Sequence, residues 1–192
     1  MTGGIGAGKS TALAALARLG AAVLSTDAVV HECYDELPIR EAVVARFGAA
    51  VLDSGDSSRV SRPALARAAF ASDEGREWLE HLLWPRVDRR IHDWRQQAVR
   101  AQPPPRAAVV EIPLLFEAGA EHGFDATIAV VADEAVRFRR AAARGHEALR
   151  ERAARQFSQD EKARRADHVV VNDGTVAELQ RALSSVLDML EG

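Results

Sequence analysis

Apolar positions along the chain follow two periods, and their alternation outlines an α/β fold. Residues 11–19 place Leu13, Leu16 and Leu19 on one helical face among strong helix formers, and Gly20 is a natural stop. Residues 21–25 then form a short apolar run that ends in a polar tip at Ser25-Thr26-Asp27. Helical patterning returns over 28–36 and 39–47, the second stretch ending at Gly48, and 53–61 is a polar turn region. Arg62-Pro63 opens another helix, since proline suits the first helical turn. Ser72-Asp73-Glu74 caps the next, which carries Trp78, Leu79, Leu82 and Leu83. Trp84-Pro85 is expected to interrupt it, with a further helix to Ala101.

After a proline break at 102–105, residues 107–112 are a continuous apolar run with an acid near its end, the pattern of a buried parallel strand. Residues 126–131 and 168–171 repeat it. Between them Asp133 caps a helix, and Ser158 to Glu161 reads as a capping box. Thr175 to Glu178 is a second box, opening a helix that reaches Leu190. Strands alternating with helices predict a parallel sheet. The long helical stretch between the first two good strands exceeds an ordinary crossover and predicts an inserted helical subdomain.

Composition narrows the class. A chain of 192 residues, 47% hydrophobic, suits one α/β domain with a small insertion. A net charge of −3 makes no general case for nucleic acid or membrane surfaces. The one cysteine, Cys33, excludes an internal disulfide and a multi-cysteine metal site, and fits a reducing, cytoplasmic compartment. The six histidines show no metal-ligand spacing.

The chemistry concentrates at the start. Gly3, Gly8, Lys9 and Ser10 fill the P-loop pattern: a glycine, four residues, then Gly-Lys-Ser. Backbone amides of such a turn approach a polyphosphate closely, and the following helix points its positive end at the anion. Lys9 can reach the β- and γ-phosphates, and the Ser10 hydroxyl can ligate Mg²⁺. A P-loop normally follows a buried strand, yet only Met1 and Thr2 precede Gly3, so the central first strand is expected to be missing.

Asp27 ends the first good strand, where ligands sit in open α/β sheets, and is equally suited to cap the next helix. Glu111 stands where a Walker-B-like acid would help hold Mg²⁺, or is a polar strand end. Arg137, Arg139, Arg140, Arg144, Arg150, Arg152 and Arg155 form either a solvated helical surface or a lid that neutralises transferring phosphoryl charge.

These residues resemble the dephospho-CoA kinase family over essentially the whole chain. The likeness rests on residues 2–11, Asp27, Phe47-Gly48, Arg62 with Leu65, Ile112-Pro113-Leu114-Leu115-Phe116-Glu117, Arg152 with Gln156, Glu161-Lys162, Ala166-Asp167 and Asn172-Asp173-Gly174. The resemblance implies a P-loop kinase-like three-layer sandwich with a five-stranded parallel sheet. The core would span 1–27, 106–136 and 166–192, the helical CoA-side subdomain 28–105, and the lid 144–157. It implies ATP and Mg²⁺, and transfer of the γ-phosphoryl to the ribose 3′-hydroxyl of dephospho-CoA.

By the same resemblance, Asp27 is the catalytic acid that takes or orients the hydroxyl proton, with Lys9 and Arg144 on the phosphates. Gly4, Ile5, Gly6, Ala7, Gly8, Lys9, Ser10, Thr11, Arg144, Asn172 and Gly174 would bind ATP. Asp27, Arg62, Leu114 and Leu115 would bind the acceptor, and Ser10, with Glu111 as a second candidate, the metal. The chain departs from the family at Ser25-Thr26-Asp27, where Asp-Ala-Asp is usual, and at Trp84-Pro85, where His-Pro is usual. Met1 stands where the family has Leu or Val, so the natural protein is expected to begin upstream. The alternatives are a related P-loop kinase for a nucleoside or sugar, a nucleotide-binding protein inactivated by truncation, and a nucleotide switch. The last would carry an Asn-Lys-x-Asp motif, which the sequence lacks.

Overall fold

The computed structural model describes residues 1–142 and 156–191. It divides into two compact units, Met1–Ser25 with Gln97–Gly192, and Thr26–Gln96. The first unit carries five short parallel strands: β1 (Thr2–Gly3), β2 (Ala22–Ser25), β3 (Ala108–Glu111), β4 (Ile128–Val131) and β5 (His168–Val171). They pair as β1-β4-β5 and β2-β3, all in parallel. The first strand is therefore short rather than missing. Two backbone bonds from Met1 bridge the groups: its nitrogen donates to Val110 O at 2.8 Å, and its carbonyl accepts from Ile112 N at 2.9 Å. The strand order across the sheet is thus β2-β3-β1-β4-β5.

Alternation along the first residues sorts side chains to opposite faces. Met1 joins a core with Leu16 of α1 (Lys9–Arg18) and Leu179, Leu183, Val186 and Leu187 of α8 (Val176–Glu191). Thr2 instead meets α7 (Gln159–Arg165), through Lys162. Helix α6 (Glu134–Ala142) follows β4 and starts under Asp133, whose carboxylate accepts from Ala135 N at 2.9 Å. The box at Thr175 and Glu178 is reciprocal: Thr175 N donates to Glu178 Oε2 at 2.7 Å, and Glu178 N donates to Thr175 Oγ1 at 3.2 Å. At Ser158 only half the expected box forms. Ser158 Oγ accepts from Glu161 N at 3.1 Å, while the Glu161 carboxylate turns forward to Arg164 and Arg165.

The second unit is helical: α2 (Thr26–Cys33), α3 (Leu37–Phe47), α4 (Arg62–Ala69) and most of α5 (Asp73–Arg100). Its buried side chains include Val29, Cys33, Ile39, Val43, Leu65, Leu79 and Leu83. Phe47 and Trp78 meet edge to face, with ring centroids 5.4 Å apart. The expected break at Trp84-Pro85 does not occur, and α5 runs unbroken for 28 residues. Proline removes one backbone donor, but Leu79, Leu83 and Val87 continue one buried face through it. Arg86 Nη1 also donates to Leu82 O, at 3.0 Å, within the weakened turn.

The first unit hides a charged pair beneath the sheet. Lys162 is fully buried, with Nζ 2.9 Å from Glu117 Oε1. The same ammonium donates to Pro113 O at 2.6 Å and to Thr2 Oγ1 at 3.3 Å. Glu117 Oε1 accepts from Phe157 N at 2.7 Å. Burial pushes the Lys162 pKa down, and Glu117 opposes the shift. Removing one partner strands the other charge, so Lys162→Met is expected to lose about 3–5 kcal/mol in urea unfolding. Lys162→Met with Glu117→Leu should recover part of that loss.

Asp167 gives a pH signature. Its Oδ2 accepts from Thr127 Oγ1 at 2.7 Å and from Thr127 N at 2.8 Å, which holds its carboxyl below the ordinary aspartate range. Because the folded pKa lies below the unfolded one, this contribution is complete above about pH 4. It is lost as pH falls through the folded value. Asp167→Asn should therefore show a shallower decline in stability on acid titration than the unaltered protein.

Candidate functional site

The glycine-rich turn leaves β1 and feeds α1, as the motif requires. Several of its carbonyls are taken by side chains. Lys9 Nζ donates to Gly3 O at 2.9 Å and to Gly4 O at 3.2 Å. Arg137 Nε donates to Ile5 O at 2.9 Å, and Asn172 Nδ2 to Ala7 O at 2.8 Å. The N–H groups of Gly6 and Gly8 donate to no described residue. A row of committed carbonyls with uncommitted amides is the electrostatic form of an anion nest.

A cleft of about 260 Å³ opens beside the turn, lined by Gly6, Gly8, Thr11, Arg140, Asn172, Gly174 and Val176. Arg140 Nη1 donates to Asn172 O at 2.9 Å, and Asn172 N donates to Val131 O at 2.8 Å. Asn172 is buried; it lines the cleft, and its side chain serves the turn. Gly8 has φ of +91°, and a Cβ there would collide with Asn172 Nδ2.

Other expected site residues fall as follows. Ser10 is exposed in the first turn of α1, and its hydroxyl bonds no described residue. Glu111 is 5% exposed at the carboxyl end of β3, and its Oε2 accepts from Ser25 Oγ at 2.9 Å. Leu114 is 39% exposed, whereas Leu115 is buried at 1% and presents no side chain to a ligand. Asp27 lies inside the first turn of α2 rather than capping it, because the helix already starts at Thr26. Its side chain is exposed and bonds no described residue. In the same unit, Arg62 Nη1 lies 2.9 Å from the His31 ring. Arg144, with Arg150, Arg152 and Arg155 and the lid stretch 143–155, lies outside the described residues.

Sequence reasoning missed two features. It treated the arginines as one group, although Arg137 and Arg140 are tied to the glycine turn and to Asn172. It also missed that Lys162 and Glu117 pair in the interior. Helical spacing pairs Arg137 with Arg140, but nothing local reveals that Arg137 meets a carbonyl 132 residues away. Among the described residues, no cluster of three or more His, Cys, Asp or Glu is placed to hold a metal, and no helix is long and apolar enough to cross a membrane.

Comparison with known proteins gives a consistent picture. The family model described as CoaE, dephospho-CoA kinase, matches residues 1–178. A dephospho-CoA kinase of Moorella thermoacetica is 39% identical over 178 residues, covering 91% of this chain and 82% of its own length. One from Protochlamydia amoebophila is 33% identical over 195 residues, covering 100% of this chain and 95% of its own. Among solved structures, a Thermus thermophilus protein superposes with a TM-score of 0.79 at 36% identity, covering 100% of this chain and 96% of that one. Dephospho-CoA kinase from Campylobacter jejuni superposes with a TM-score of 0.68 at 25% identity, covering 99% and 94%.

The geometry of the turn makes Gly8→Ala informative. The added methyl must displace Asn172 and free the Ala7 carbonyl, so calorimetry should show most ADP binding lost. Gly119→Ala is the control, because Gly119 also has positive φ but nothing lies within 4 Å of its Cβ position. That variant should lose only about 1–2 kcal/mol of stability and keep ADP binding.

Proposed function

The chain belongs to the dephospho-CoA kinase family, and from that premise we propose that it transfers the γ-phosphoryl group of ATP to the ribose 3′-hydroxyl of dephospho-CoA. The products are ADP and coenzyme A, in the last step of coenzyme A synthesis. The single observation that carries this reading is the glycine turn, with carbonyls held by Lys9, Arg137 and Asn172 and amides left for an anion.

In this reading the uncommitted amides within residues 4–11 hold the triphosphate, and Asn172 and Gly174 flank the adenine. Lys9 exchanges the Gly3 and Gly4 carbonyls for phosphate oxygens and stabilises charge on the transferring group. The 3′-oxygen attacks the γ-phosphorus in line as the bond to the leaving ADP oxygen breaks. Asp27 orients the acceptor hydroxyl and receives its proton, a role that its exposed carboxylate supports. Arg62 and Leu114 contact the acceptor, and Arg144 contacts the phosphates.

The chain offers oxygen ligands that suit Mg²⁺: the Ser10 hydroxyl, which bonds no described residue, with the Glu111 carboxylate of the same unit as second candidate. A bound ion would supply neutralisation of the negative charge on the phosphates. Cytoplasm is the compartment this reading expects, in keeping with the single cysteine.

A coupled ADP-release assay tests the proposal. Dephospho-CoA should give efficient turnover, while nucleosides and sugars give little. Lys9→Ala and Asp27→Asn should each lose roughly 10²–10³-fold in kcat with unchanged unfolding curves. Near-normal kcat in Asp27→Asn would remove Asp27 from the mechanism.

A further inference from the structure

The P-loop pattern requires glycine at positions 3 and 8 but leaves positions 4 and 6 open. This chain nevertheless has Gly4 and Gly6, and the structure gives a reason that involves no ligand. A Cβ on Gly4 would stand 3.2 Å from Arg137 Nη2, 3.3 Å from Cζ and 3.6 Å from Nε. Such similar distances mean that the flat guanidinium faces residue 4 broadside. A Cβ on Gly6 would stand 2.5 Å from the Arg137 carbonyl oxygen and 3.0 Å from its Cα. Helix α6 therefore rests directly on the turn.

The bond from Arg137 Nε to Ile5 O then acts through the peptide plane. In a trans peptide the C=O and the following N–H point in opposite directions. Fixing the Ile5 carbonyl towards Arg137 fixes the Gly6 N–H away from it. Asn172 does the same for the next uncommitted amide, by holding the Ala7 carbonyl opposite Gly8 N–H. Arg137 Nη1 and Nη2 bond no described residue, so no described carboxylate competes for this cation.

We propose that Arg137 is a positioning residue of the triphosphate site, clamping the Gly4–Ile5–Gly6 backbone so that the Gly6 amide is aimed at phosphate before ATP arrives. The inference rests on the kinase reading for its ligand. It assigns one member of the arginine-rich segment a role distinct from direct contact with transferring phosphate.

Calorimetry and kinetics on the full chain test it. Arg137→Met should weaken ATP binding about tenfold or more and raise KM for ATP in step. Adenosine affinity and KM for dephospho-CoA should stay within about twofold, because neither depends on the Gly6 amide. Arg137→Lys keeps the charge without the flat fork and should lose as much. Gly4→Ala pushes on the same guanidinium, so its effect combined with Arg137→Met should fall well short of the product of the two. Wild-type ATP affinity in Arg137→Met would overturn the proposal. So would equal losses for ATP and adenosine, which mark a general structural defect, or full rescue by Arg137→Lys, which marks a charge effect alone. If the unaltered protein released no ADP with dephospho-CoA, the acceptor assignment would fail while the ATP calorimetry stayed interpretable.

Discussion

Everything at this site depends on a short turn whose peptide groups must face the right way. Backbone amides can serve an anion only if the carbonyls of the same peptide planes are satisfied elsewhere. Here that satisfaction comes from three side chains, two of them distant in the chain: Lys9 on α1, Arg137 on α6 and Asn172 at the end of β5. Elements far apart in the chain thus converge on one loop of six residues or so, and the parallel sheet is what brings their ends together. The nest is held in shape by protein contacts alone.

The sheet in turn is joined through the residues just ahead of the turn. Strand β1 is two residues long, yet Met1 stitches β3 to β1 with two backbone bonds while its side chain enters the core. On the opposite face, the Lys162 ammonium joins Thr2, Pro113 and Glu117, and Glu117 also receives the Phe157 amide. That buried ion pair couples the foot of the glycine turn to the segment that bears Leu114. Burying an ammonium is expensive unless its donors are matched, and here three are.

Much of this was legible in the sequence because it is local. The P-loop spacing, the apolar strands, the stop at Gly20, the Arg62-Pro63 start and the Thr175-Glu178 box are all written within a few residues. The misreadings have two causes: tertiary packing overrides a local signal, or one local interaction outcompetes another. Pro85 fails to break α5 because burial of Leu79, Leu83 and Val87 carries the helix through it. Asp27 is drawn inside α2, and Glu161 prefers two arginines to its own cap. The Lys162–Glu117 pair and the Arg137 clamp join residues 45 and 132 positions apart, which no periodicity reports.

Amide hydrogen exchange across residues 3–10, with and without saturating ADP, tests the central claim most directly. The account predicts that ADP slows exchange at Gly6 and Gly8, while adenosine at equal occupancy leaves those amides as they were. Exchange at Gly6 and Gly8 that ignores bound ADP would mean that the phosphates sit elsewhere, and the kinase geometry derived from this turn would be wrong.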